Sequence, residues 1–157
     1  MTLTSNQVTR SVRYSAGLKL INDQHKELFR LVNDMYNHVN NDDEEAERAY
    51  FKSVIRQVVD YVKEHFAAEE EIMKRTHFKD YIGHKLAHDF FIMSVVNFLQ
   101  KFDEGKKVPL ISFTHFIKDW ILSHIDIMDK QFFHYLMKTA SRRPKEKLSV
   151  IKEAIAC

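Results

Sequence analysis

The chain is predicted to be all-α, an antiparallel up-down-up-down four-helix bundle, and three observations predict it. Only three Gly and two Pro occur in 157 residues, too few for the many turns of an all-β fold. Apolar residues recur at three- and four-residue intervals, the period of a helix face. Short polar breaks separate the long periodic stretches, so that each helix runs antiparallel to its neighbour. The length suits one domain that buries roughly two thirds of its unfolded surface.

The first helix is expected from near Asp23 to about Val39, with Leu28, Leu31, Val32, Met35 and Val39 as its inward stripe and His25 on the same stripe. "NNDDEE" at 40 to 45 reads as a turn in which Asp42 or Asp43 caps the second helix and the acidic residues favour its positive end. That helix runs to about Arg75, and its inward row is Val54, Val58, Val62, His65, Glu69 and Ile72. "THFKDY" at 76 to 81 is the next connection. The third helix then reaches Phe102 and buries His84, His88, Phe91, Val95 and Phe98. In "DEGKKVP", Gly105 stops the third helix and Pro109 serves as a first-turn residue of the fourth. The fourth covers roughly Leu110 to Lys138 and carries Phe113, Ile117, Trp120, Ile121, His124 and Met128. Residues 1–138 thus form the bundle and 139–157 a basic C-terminal tail. Leu148, Ile151 and Ile155 fall on one side of that tail, which reads as a short terminal helix lying on the bundle, with no chemistry assigned to it.

Composition narrows the function. A formal charge of +2, from 24 basic and 22 acidic residues, is too balanced for nucleic acid or an anionic membrane as the main partner. The start "MTLTSNQVTRSVRYSAG" has no apolar signal region, and no apolar run is long enough for a membrane span. A soluble, cytoplasmic protein is expected. Its one cysteine, Cys157, excludes a disulfide framework and Cys-based zinc or iron–sulfur sites, so any metal is held by nitrogen and oxygen.

The histidines are the informative residues. In "GHKLAH", His84 and His88 stand four apart, about 40° around a helix axis and one turn up, so both imidazoles leave one face. A single such pair is weak evidence for a metal. Yet polar groups interrupt the apolar face of every helix: His25 on the first, His65 and Glu69 on the second, His84 and His88 on the third, His124 and Asp129 on the fourth. Burying an ionisable group without a partner costs several kcal/mol. A lone inward His is most often a hydrogen-bonded core residue; seven donors converging on one core point to a metal site instead.

These motifs resemble the hemerythrin family, and in particular its single-domain bacterial members, from Tyr14 to about Leu136. The family's ordered run of ligands appears as "DQH" ending at 25, "HFAAE" at 65 to 69, "HKLAH" at 84 to 88 and "HIDIMD" at 124 to 129, and "YSAGLKLINDQHKEL" and "WILSHI" resemble its flanks. The resemblance implies two iron ions with an oxo or hydroxo bridge, one iron bound by His84, His88 and His124 and the other by His25 and His65, with Glu69 and Asp129 bridging. The second iron then keeps an open position for dioxygen. Oxygen enters by taking two electrons and the proton of the bridge, so the buried site keeps its charge. By the same resemblance Phe66, Trp120, Ile121 and Ile125 shape the oxygen pocket; any bundle would also bury them as packing. Asn22 departs from the family's acidic residue before the first ligand, and "THF" at 76 to 78 replaces its Gly-Tyr-Pro turn.

The function implied is reversible dioxygen binding for transport, storage or delivery, with no catalytic residue and no enzymatic activity. Two alternatives use the same site: a di-iron enzyme reducing nitric oxide or peroxide, and an oxygen or redox sensor acting through a partner. Ferritin-like oxidases use Glu-x-x-His motifs, and this chain has none. Five neutral imidazoles beside two carboxylates give less anionic donation to support high-valent iron, which favours binding over oxygen cleavage. Imidazole alone does not separate iron from Zn, Cu or Ni, and a zinc-stabilised bundle is the least favoured reading. Asp129 stands five residues beyond His124, about 140° around an ideal helix, so a π-type widening is expected between them. His38, His77, His115 and His134 are expected to be outside the site.

Overall fold

The computed structural model describes the backbone of residues 5–39 and 43–142, and the side-chain surroundings of residues 21–39 and 43–139. Helix α1 spans Ser5–Val39, α2 Glu44–Arg75, α3 Tyr81–Asp103 and α4 Leu110–Ser123; a π-helical turn, His124–Asp129, joins α4 to α5, Lys130–Arg142, in one continuous rod. Four antiparallel rods result. α1 packs on α2 and α4, α2 on α3, and α3 meets α4 through the Phe91–Phe116 and Phe98–Phe113 ring contacts. Among the described residues no helix is long and apolar enough to cross a membrane.

The first helix begins at Ser5, not near Asp23 as expected. No proline or paired turn residues break the chain between them, and Gly17 alone costs only about 1 kcal/mol, so a helix anchored by its packed half continues through. Asp43 caps α2, its carboxylate accepting from the amides of Glu45 and Ala46, while Glu44, Glu45 and Glu47 occupy the first turn where the helix dipole favours them. Pro109 stands at the N-cap of α4, one position ahead of the first turn. The fourth rod passes Lys138 to reach Arg142, and the remaining tail, with Leu148, Ile151 and Ile155, lies outside the described residues.

Both described loops after a helix close in the same way. After α3, Gly105 takes φ 74°, its amide reaches the carbonyl of Phe102 and that of Lys106 the carbonyl of Lys101. After α2, His77 takes the equivalent position at φ 55°, with its amide on Lys74 and the amide of Phe78 on Met73. A side chain in that left-handed region is strained, and the packing of Phe78 on Met73 in one apolar cluster holds the turn. His77→Gly is therefore expected to stabilise the fold by about 0.5–1 kcal/mol, read as a higher denaturation midpoint with an unchanged slope.

The core has two parts. One contains Leu28, Val32, Met35, Phe51, Val58, Phe91, Phe113 and Ile117, and the other Ile21, Ile72, Met73, Phe78, Phe132 and Leu136. Along α2 the junction between them falls at His65 and Glu69, after Val62 and before Ile72. The rods thus carry a polar layer between two apolar ones.

Candidate metal centre

Every polar interruption foreseen in the helix faces is in that layer. His25, His65, Glu69, His84, His88, His124 and Asp129 are all buried, with Glu69, His88 and Asp129 at 0% exposure. Their donor atoms fall into two groups, each within 4.8 Å: Glu69, His84, His88 and His124 in one, and His25, His65, Glu69 and Asp129 in the other. Glu69 belongs to both.

Asp129 is shared as well. Its Oδ1 lies 3.2 Å from His84 Nε2 and 3.1 Å from His124 Nε2, and its Oδ2 lies 3.1 Å from His25 Nε2. Its two oxygens thus face opposite groups. The π-turn makes this possible: in a regular helix Asp129 would point about 140° away from His124, and the widened turn returns it to the core. The Oε2 of Glu69 sits 3.6 Å from His84 Nε2 and 3.4 Å from His88 Nε2. The Nε2 atoms of His88 and His124 face each other at 3.0 Å.

The protein supplies these atoms with few hydrogen bonds. His25 Nε2, His84 Nε2 and both oxygens of Glu69 and of Asp129 are buried without a hydrogen-bond partner; the nearby rings are within ion-pair distance but not aligned to donate. An unsatisfied buried polar atom costs about 1–3 kcal/mol, so six of them in one layer oppose folding. A bound cation removes that cost. The donor set, imidazole nitrogen and carboxylate oxygen, fits a first-row transition metal.

Electrostatics agrees. Burial alone would raise the Glu69 carboxyl, but the neighbouring His84 and His88 rings outweigh it and hold the group well below its usual range. Asp129 is depressed in the same way, against its burial, by His124, His25 and His84. Burial pushes His65 down to about 4 and lowers His124, so these two offer neutral lone pairs. His84 alone is pushed up to about 9: burial opposes this, and Asp129 and Glu69 prevail. The layer is thus two carboxylates holding positive charge among them, which a metal replaces by displacing the proton.

Two contacts behind the ligands were not legible in the sequence. His65 Nδ1 lies 2.9 Å from Gln24 Oε1, and His88 Nδ1 3.1 Å from Glu70 Oε1. With an oxygen acceptor there, Nδ1 carries the proton and Nε2 is left to bind metal. The Tyr61 hydroxyl donates to the carbonyl of Gln24, tying the middle of α1 to α2. Gln24 and Glu70 each adjoin a ligand, a signal available in the sequence, but only the packing reveals which ring each meets. Asn22, by contrast, is exposed and touches none of this. Gln24→Leu is expected to weaken metal binding about 10–100-fold, measured by competition with a chelator, while the helix content stays unchanged.

Two of the foreseen pocket residues stack on the rings of the layer. Phe66 stacks on His88 with centroids 3.8 Å apart, Trp120 stacks on His124 at 4.2 Å, and Phe66 and Trp120 meet at 5.6 Å. Ile121 is buried, and Ile125 is half-buried beside the same apolar cluster. His38, His77, His115 and His134 are exposed and outside the layer.

A four-helix bundle with a buried layer of imidazoles and shared carboxylates defines a class of helical metal-binding proteins. The hemerythrin HHE cation binding domain matches residues 16–136, and the chain belongs to the hemerythrin family. It is 27% identical to a bacteriohemerythrin of Methylococcus capsulatus over 78% of this chain and 90% of that protein. A bacteriohemerythrin of Pseudomonas aeruginosa is 28% identical, over 85% of this chain and 84% of the relative. A crystal structure of wild-type hemerythrin superposes with a TM-score of 0.66 at 27% identity, covering 84% of this chain and 94% of that one.

Proposed function

We propose that the protein binds dioxygen reversibly at a non-haem di-iron centre, without turnover, and so carries, stores or delivers it. The supporting observation is the sharing of both buried carboxylates between two donor groups. One metal would need only one such group, whereas two adjacent metals need acceptors common to both. His84, His88 and His124 would hold one iron and His25 and His65 the other, with Glu69 and Asp129 common to the two. Two iron ions with an oxo or hydroxo bridge, held by these residues, would supply the redox chemistry for taking up and releasing dioxygen.

The protein's own groups do the rest. Gln24 and Glu70 hold two imidazoles in one tautomer and orientation. The unequal division, three imidazoles against two, leaves fewer donors on the His25 side, where a small ligand would enter. Phe66, Trp120, Ile121 and Ile125 exclude water and outside protons, which would otherwise displace the ligand. The membership in the hemerythrin family and the names of its bacterial relatives support oxygen as that ligand.

The test is to reduce the iron-loaded protein without air, admit oxygen, and then remove it under argon. A visible absorption that appears with oxygen and disappears with its removal over repeated cycles is expected. Irreversible bleaching with consumption of nitric oxide or peroxide would replace a carrier by an enzyme.

A further inference from the structure

The outward side chains of α1 and α2 are charged: Lys26, Glu27 and Arg30 on the first helix, Arg56, Asp60, Lys63 and Glu64 on the second are all exposed. α3 is built differently. Its inward row is His84, His88, Phe91 and Val95, and on the opposite side Ile82, Leu86, Phe90, Met93 and Val96 are 64%, 61%, 61%, 70% and 50% exposed. From Leu86 to Gln100 the one Asp, Glu, Lys or Arg is Asp89. A helix that is apolar on every side belongs in an interior, and the bundle covers only one side of this one. The open row offers on the order of 600 Å² of apolar surface, at the limit of what a monomer leaves bare.

Area, shape and charge all suit this row to a second copy of itself. Two such rows face to face would bury about 1,200 Å² in total, which enters the range of stable interfaces and comes almost wholly from apolar side chains. The row advances in steps of four, four, three and three, so a two-fold axis beside Phe90 sets an antiparallel copy with its Met93 against Leu86 and its Gly83 against Val96. Large then meets small. Gly83 is exposed, and a side chain there would meet nothing within 4 Å, so no contact inside the chain requires a glycine at a helical position where it costs up to about 1 kcal/mol relative to alanine. A neighbouring helix uses the space. Asp89, the one charge in that stretch, is held through both carboxylate oxygens by Lys85 at 2.7 Å, so covering the row buries no unpaired charge.

We propose that two copies of this chain pair through the outer faces of α3, antiparallel about a two-fold axis beside Phe90. His84 and His88 leave the opposite side of the same helix, so the pairing braces two donors of the metal layer without touching them. Sedimentation of the full chain at about 100 µM should show a dimer, and Met93→Asp, which sets an acid against Leu86 of the second copy, should raise its dissociation constant at least about tenfold with helicity unchanged. Cross-linking tests the axis separately. In a Cys157→Ser background, Phe90→Cys brings two thiols together, and under diamide, which accepts the two thiol hydrogens, it should form an intermolecular disulfide at least about tenfold faster than Lys26→Cys, whose side chain on α1 is 78% exposed. A monomer at this concentration, a dimer that Met93→Asp leaves as tight as before, or equal cross-linking rates would each overturn the proposal; the first would assign the face to a different partner.

Discussion

Replacing Glu69 with alanine is expected to lower the iron content from two per chain towards zero while the protein remains helical. Glu69 is counted in both donor groups, it is fully buried, and neither of its oxygens has a hydrogen-bond partner. In the proposed di-iron centre its loss would take a ligand from both metals at once, and it also removes one of the two carboxylates in the layer. His84, His88 and His124 would retain three neutral nitrogens, a weaker site for a divalent cation that now lacks charge compensation. The fold should survive, because removing a buried charge also removes its desolvation cost. Metal content by elemental analysis and helicity by circular dichroism test the two halves separately. Glu70→Gln is the comparison: it retains an oxygen acceptor for His88 Nδ1, and the iron content should stay close to that of the unaltered chain.

Removing the metal should lower the melting temperature by roughly 10–15 °C. Six buried donor atoms lose their partner together, and their desolvation then opposes folding. A ligand held at a thousand times its dissociation constant stabilises the folded state by about 4 kcal/mol, and in a chain of this size each kcal/mol moves the midpoint by about 2–4 °C. Calorimetry of iron-loaded and chelator-stripped protein reads this shift. Val62, Ile72 and the two apolar clusters around the layer remain in place, so the stripped protein should still melt as a folded bundle at its lower temperature.

The donors were legible in the sequence for a simple reason. An imidazole or carboxylate at a position whose helical neighbours are all apolar, as His65 and Glu69 are between Val62 and Ile72, has nowhere to point but inward. The π-turn was legible too, because Asp129 lies one residue too far from His124 for a regular helix to bring it into the core, and the structure widens the helix at that place. Contacts between rods were not. That Gln24 supports His65, and Glu70 supports His88, depends on how α1 sits on α2 and α2 on α3, and no local pattern encodes it. The continuation of α1 to Ser5 was missed for the converse reason: its periodicity is weak there, and the absence of a stop signal mattered more than the presence of a stripe.

Whether two metals share this one set of ligands is tested most directly by the metal stoichiometry of protein reconstituted with ferrous iron and freed of loose metal. Two irons per chain are predicted, both lost together in Glu69→Ala. A single metal per chain, or zinc retained in preference to iron, would contradict a shared di-iron centre.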